Sequence, residues 1–434
     1  MDKRCKRILV VLLVISVGMP VIAQTIEVPL TFQKPPQEEA GMLIGHYRAQ
    51  PVPVTGVKAP SDRATVSSFT LQGRDYYFAS ERAKETDEFY SRLYFDANGN
   101  KDLTDDTSQE GVKEQANENV TFWRFDPFAI EYQLEGQTLP YNVKIMFIQF
   151  KQGLRVPTQG PSYQILSIGV WTGSFNHRGK AYTISFGDSD FDGDYGTRLK
   201  HVPLENAPDY LLFPLDFEGD RFCVGAGSLS SAAYGAMALS EHVLIGDDLY
   251  RLEVRTAQRK AILTPVEMPR APVKVPKGLR QVQLVSEDMS KGLCLIEPPE
   301  VVHVPNGNYY VVSYQDATID EQGDTWVLMA TGNRKTPMVI ADGGKRAEMA
   351  VGAPYLAKVS SGDTRMERGG VSGYPLTLSV QGKGKEPVVS LMRTEGTKTN
   401  YKLSTKRPNT PLEPAFKVVQ GDGEVVASGT FEYG

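Results

Sequence analysis

The sequence predicts an all-β, mainly antiparallel protein, in which repeated β-hairpins with acidic loops precede one or two C-terminal β-sandwich domains. Three observations predict it. Apolar residues recur at every second position in short runs, Gly-containing turns separate many of those runs, and helical spacing is scarce. In "YNVKIMFIQF" Tyr141, Val143, Ile145 and Phe147 share one face, as Leu376, Leu378 and Val380 do in "YPLTLSV". "YYVVSY" and "FKVVQGDGEVVASGTFEYG" are rich in Val, Phe and Tyr, and Gly421-Asp422-Gly423 predicts a tight hairpin turn in the second. Residues 80–93 and 230–242 carry spacing suited to a short helix each, with a long β connection as the near alternative for both.

Taken in order, the chain opens with Lys3, Arg4, Lys6 and Arg7, an apolar run from Ile8 to Met19, and Val21-Ile22-Ala23 before Gln24. That three-part pattern predicts a secretory signal peptide at residues 1–23, whose apolar run is too short to span a bilayer. The expected location is secreted, periplasmic or extracellular, with no membrane span after cleavage. The formal charge is −5; residues 1–23 hold four basic residues and Asp2, a net +3, so the rest carries −8. An acidic balance argues against nucleic acid, whose binders carry basic stripes, and is compatible with cation binding. Cys223 and Cys294 remain, either paired as a disulfide or as two buried thiols.

A chain of this length exceeds one hydrophobic core. Residues 24–263 are expected to form an N-terminal β-domain. Pro265, Pro269, Pro272 and Pro276 predict a stiff linker at 264–278. Residues 279–350 and 351–434 are each expected to be sandwich-like, or to form one domain together. A faint repeat runs through the N-terminal part: "QGRDYYF" from Gln72, "RGKAYTISF" from Arg178 and "IGDDLYRLEV" from Ile245 each join a Gly, polar residues, a Tyr and an alternating strand. A repeated hairpin unit explains them, and acidic loops follow the first two.

Three acidic loops are the candidate sites. Loop one holds Asp96, Asn98, Asn100, Asp102, Thr104, Asp105 and Asp106; loop two holds Asp188, Asp190, Asp192 and Asp194; loop three, the weakest, holds Asp216, Glu218 and Asp220. Carboxylates about 4 Å apart repel by roughly 4 kcal/mol at an effective dielectric near 20. A divalent cation removes that penalty. Calcium takes six to eight oxygens in irregular geometry, magnesium wants a strict octahedron, and zinc wants His or Cys, which these loops lack. Ca2+ is therefore the expected cofactor. The metal ligands expected are Asp96, Asn98, Asn100, Asp102, Thr104 and Asp106 in loop one and Asp188, Asp190, Asp192 and Asp194 in loop two.

Catalytic motifs are missing: the sequence has no G-x-S-x-G, H-E-x-x-H or P-loop, and no two of its five His are spaced as a metal pair. Asp126, Glu131, Glu218 and Asp220 are the acids available for a hydrolase of polysaccharide or peptide. Trp123, Trp171 and Trp326 suit β-cores better than sugar platforms. A protein or carbohydrate ligand stays open as partner.

Two resemblances follow from the residues. Loops one and two resemble EF-hand-type and dockerin-like calcium loops. Asp96, Asn98, Asn100, Asp102 and Thr104 match ligand positions one to nine, and Asp188, Asp190, Asp192 and Asp194 match one to seven. Lys101 departs from the turn glycine, and Thr107 and Leu199 from the acidic twelfth position. "VVHVPNGNYYVVSY" resembles a transthyretin-like or carboxypeptidase-regulatory-like sandwich through Pro305, Gly307 and Tyr309. The "DGEVVASGTFEYG" ending, with the Asp96 loop, is similar to uncharacterised secreted bacterial β-proteins. That resemblance implies an envelope or extracellular setting and no particular activity. The expected function is thus non-catalytic: calcium-stabilised binding or structural work at the bacterial envelope.

Overall fold

The computed structural model describes residues 24–33, 45–49, 54–84, 90–117, 120–150, 162–203, 217–225, 236–332, 339–343, 347–362, 366–368, 371–395 and 411–431. The expected signal peptide, Asp216, and residues 85–89 and 230–235 of the two candidate helices lie outside them. Strands make nearly all the regular structure; a 3-10 turn at Thr256–Gln258 is the helical element among the described residues. The described parts of 80–93 and 230–242 contribute to strands: Arg74–Glu81, Arg92–Phe95, Met237–Ala238 and His242–Ile245.

The repeat units are hairpins with one local cause. Thr65–Leu71 turns into Arg74–Glu81 through Gln72 (φ 49°) and Gly73 (φ 73°), and Val170–His177 turns into Lys180–Gly187 through Arg178 (φ 50°) and Gly179 (φ 80°). Phe128–Leu134 and Gln137–Phe150 join through Glu135 and Gly136 in the same conformation. Two consecutive left-handed residues match the twist of paired strands, and glycine supplies the second without steric cost. At Ile245 the left-handed position is Gly246. Alternation then does what the sequence predicts: Tyr141, Val143, Ile145 and Phe147 are all fully buried.

The largest sheet is mixed. Its order is Ile26–Pro29, Lys260–Pro265, Asp248–Arg255, His242–Ile245, Gly292–Ile296, Leu279–Ser286, Gly307–Ile319, Thr325–Thr331 and Val388–Glu395, and Val339–Ala341 also pairs with Gly307–Ile319. His242–Ile245 and Gly292–Ile296 run parallel. Both faces of that centre are covered: Val243, Ile245, Cys294 and Ile296 enter one core, and Leu244, Leu293 and Leu295 enter another. Burial on both faces is why "HVLI" and "GLCLI" are apolar without alternation.

The Pro-rich segment holds the end of Lys260–Pro265 and all of Arg270–Lys274, and strands from both sides of it share the large sheet. Arg270–Lys274 lies between Val301–Pro305 and Ala347–Glu348. Pro272 is tolerated there because it faces His303 on one side, while pairing on the other begins only at Val273. Pro305 and Gly307 bracket the turn into Gly307–Ile319, and the Tyr309 hydroxyl donates back to the Pro305 carbonyl at 2.9 Å. Near the C-terminus, Ala415–Val419 and Val425–Thr430 form the expected hairpin, with Gly423 left-handed in its turn. Cys223 and Cys294 are free thiols, both raised by burial, to about 11 and about 12.

Candidate metal centre

Strand Lys180–Gly187 pairs antiparallel with Arg221–Gly225, and Gly187 faces Arg221. The register ends there, with one residue following Gly187 and one preceding Arg221 at the same end of the ladder. Those residues are Asp188 and Asp220. Loop two and loop three thus meet at one end of a single ladder, and Asp190 curls back to join them. Carboxylate oxygens of Asp188, Asp190 and Asp220 all lie within 4.8 Å of one another; among the described residues no other three His, Cys, Asp or Glu side chains do so.

Asp188 and Asp220 have no exposed surface, whereas Asp190 is exposed. Asp188 is held from three sides. Its Oδ1 accepts the Phe191 N–H at 2.6 Å, and its Oδ2 accepts the Tyr141 hydroxyl at 2.6 Å and the Gly193 N–H at 2.8 Å. Asp220 accepts the Ser189 N–H at 3.1 Å on Oδ1 and the Thr197 N–H at 2.8 Å on Oδ2. Backbone curvature makes those bonds available: Phe191 (φ 63°) and Gly193 (φ 83°) are left-handed, and a Cβ on Gly193 would stand 2.9 Å from the Tyr132 ring. The Tyr132 hydroxyl donates to the Gly193 carbonyl at 2.5 Å, which fixes the bend.

Electrostatically the arrangement is costly. Two ionised carboxylates 4.8 Å apart repel by about 3.5 kcal/mol at an effective dielectric near 20. Among the described residues no Lys, Arg or His makes an ion pair with any of the three. Burial therefore raises Asp188 to about 7 against the hydrogen bond of Tyr141, and pushes Asp220 well above the usual carboxylate range, with Asp188 and Asp190 adding to it. Asp192 is raised to about 6, first by burial and then by Asp190 and Asp194. Tyr141 and Tyr195 are pushed well above their ordinary value by burial and by the Asp188 charge.

The donor set is oxygen alone. Ca–O bonds of about 2.3–2.6 Å let one ion reach oxygens up to about 5 Å apart, and each carboxylate keeps lone pairs beyond its backbone bonds. The residues therefore fit a hard divalent cation; zinc would look for His or Cys.

The remaining expected ligands are elsewhere. Asp192 Oδ1 accepts the Asp194 N–H, and Asp194 Oδ1 accepts the Thr256 hydroxyl at 2.7 Å. Loop one curls as a calcium loop would. Asp96 accepts N–H groups of Gly99, Asn100 and Lys101; Asn98 accepts from Asn100, Asn100 from Asp102, and Asp102 from Thr104. Leu103 is fully buried beneath it. Yet a lysine stands among its oxygens: Lys58 Nζ donates to Asp102 Oδ2 at 2.8 Å and to Thr104 Oγ1 at 3.0 Å. Hydrogen bonding to Lys58 holds Asp102 down at about 2. Asp106 accepts the Ala97 N–H on one oxygen and is raised by burial. Asp126, Glu131 and Glu218 are exposed and stand outside the Asp188 cluster.

By sequence the loops read as separate sites; in the structure Asp220 of loop three joins Asp188 and Asp190 of loop two. One signal was present: Asp188 closes a strand and Asp220 opens one. Their register is set by a connection of some thirty residues, which periodicity does not fix. No helix among the described residues is long and apolar enough to cross a membrane. No protein-family model, curated protein or solved structure matches the chain.

Proposed function

We propose that the chain is a calcium-stabilised β-protein, exported to the bacterial envelope or beyond it, with a binding or structural role. The observation that carries this reading is the meeting of buried Asp188 and Asp220 with Asp190; among the described residues none of the three makes an ion pair, and Arg221 beside Asp220 supplies one nearby positive charge against three carboxylates. A divalent ion at that point ties the end of Lys180–Gly187 to the start of Arg221–Gly225 and offsets the repulsion among the carboxylates when they are ionised. Two fully buried carboxylates, each also held by backbone N–H groups, suit an ion that holds strands rather than one that meets a substrate. Export is supported by the basic and apolar N-terminal sequence with its small-residue cleavage site. In loop one we assign the balancing charge to Lys58, so that one ion per chain is expected.

Isothermal titration of residues 24–434 with calcium tests the proposal. The expected result is one ion bound with a Kd on the order of 10⁻⁴–10⁻³ M, as in extracellular modules. Magnesium should bind more weakly, and Asp188→Asn or Asp220→Asn should remove binding. Binding that survives both substitutions contradicts the assignment, and a second ion lost in Asp96→Asn would restore loop one as a site.

A further inference from the structure

The geometry points to a second binding site, for a sugar that carries a carboxylate, in the cavity between the Gln72-Gly73 hairpin turn and loop one. The cavity is about 260 Å³, lined by Arg74, Asp75, Tyr76 and Tyr77 from one strand and by Asp96, Gly99 and Lys101 from loop one. That volume lies just below the range of about 300–1,000 Å³ typical of drug-sized ligands, and so suits a single sugar ring.

The charges in the cavity are not spent evenly. Asp96 is buried and accepts three backbone N–H groups of its own loop. Asp75 accepts the Thr70 hydroxyl at 2.6 Å on Oδ1, which leaves Oδ2 for a ligand. Neither Arg74 nor Lys101 makes an ion pair among the described residues. Each lies over a tyrosine face instead: the Arg74 guanidinium carbon is 5.1 Å from the Tyr76 ring centre, and Lys101 Nζ is 5.5 Å from that of Tyr77. Two held cations and one available carboxylate oxygen match a ligand with one carboxylate and several hydroxyls.

The backbone is strained toward the same end. Gly99 is left-handed (φ 75°), and a Cβ there would come within 2.6 Å of Arg74 Nη2, so a larger residue would displace the guanidinium from its place against the loop. Lys101 is left-handed too (φ 65°), at a position where glycine costs nothing. A chain that tolerates lysine there retains a cation at a steric cost, and such strain concentrates where ligands bind.

The cavity shares no lining residue with the Asp188, Asp190 and Asp220 cluster, and the test is done in chelator so that no cation intervenes. Residues 24–434 are titrated with D-glucuronate, D-glucose and inorganic phosphate, followed by calorimetry and by saturation-transfer NMR. Glucuronate is expected to bind, with glucose at least about tenfold weaker because it lacks one charge-assisted hydrogen bond, and phosphate at least about tenfold weaker because it lacks the ring and hydroxyls that meet Tyr76, Tyr77 and Asp75. Lys101→Gly and Arg74→Gln are each expected to weaken glucuronate about tenfold by the same reasoning. Lys101→Gly should melt no lower than the parent, which separates lost binding from lost folding. No glucuronate binding, equal binding of glucose or phosphate, or unchanged binding in Lys101→Gly overturns the proposal.

Discussion

Gly193 shows how one residue positions a charge. Its N–H donates to Asp188, its carbonyl is held by Tyr132, and its left-handed φ leaves no room for a Cβ between Tyr132 and Leu71. Gly193→Ala is expected to cost about 2 kcal/mol in chemical denaturation, through strain and overpacking, and to weaken calcium binding as well. Protonation acts at the same scale. Asp188, Asp192 and Asp220 are all raised in the fold. In the unfolded chain such groups release their protons near pH 4. The cation-free fold keeps them to about 6 or 7 and beyond, so it binds more protons than the unfolded chain between those values. These groups therefore support the cation-free fold fully below about pH 4, and their contribution is lost as pH rises toward 7. Calcium needs the ionised forms, so the calcium-induced rise in melting temperature should shrink between pH 8 and pH 5. Melting curves across that range check the sign; a shift that grows on acidification contradicts it. At this scale the sequence was partly legible. Asp188 and Asp190 stood out by their spacing, while Lys58 did not, because nothing local links it to Asp102, 44 residues away.

At the scale of the strand, the centre of the large sheet carries the sharpest expectation. Leu295 and Ile296 are adjacent, both fully buried, and face different cores. Leu295→Ala and Ile296→Ala should therefore each cost about 2–4 kcal/mol in chemical denaturation. A strand with one wet face would lose that much at one position and under about 1 kcal/mol at the other. The hairpins themselves were legible from Gln72-Gly73, Arg178-Gly179 and Gly421-Asp422-Gly423, because turn chemistry is local. Arg270–Lys274 was not. Four prolines within a dozen residues argue against ladder pairing, and only the partners show that Pro272 falls where one flank is open. The parallel pairing of His242–Ile245 with Gly292–Ile296 was hidden for a related reason: it joins segments about fifty residues apart.

For the whole molecule, the large sheet draws strands from residues 26–29 through 388–395, across the Pro-rich segment. Scanning calorimetry of residues 24–434 should accordingly show these strands melting in one main transition, since neither side of that segment completes the sheet alone. Two well-separated transitions of comparable enthalpy would argue that the two sides fold independently. The most direct test of the central claim compares melting of the parent and of Asp220→Asn, each in about 5 mM calcium and in chelator. An ion held with a Kd near 0.5 mM adds about 1.4 kcal/mol at that concentration, a shift of a few degrees at most. The parent is predicted to gain that stability, and Asp220→Asn to melt alike in both conditions. Equal melting of the parent with and without calcium, or a full shift in Asp220→Asn, would contradict an ion at the Asp188–Asp220 ladder end.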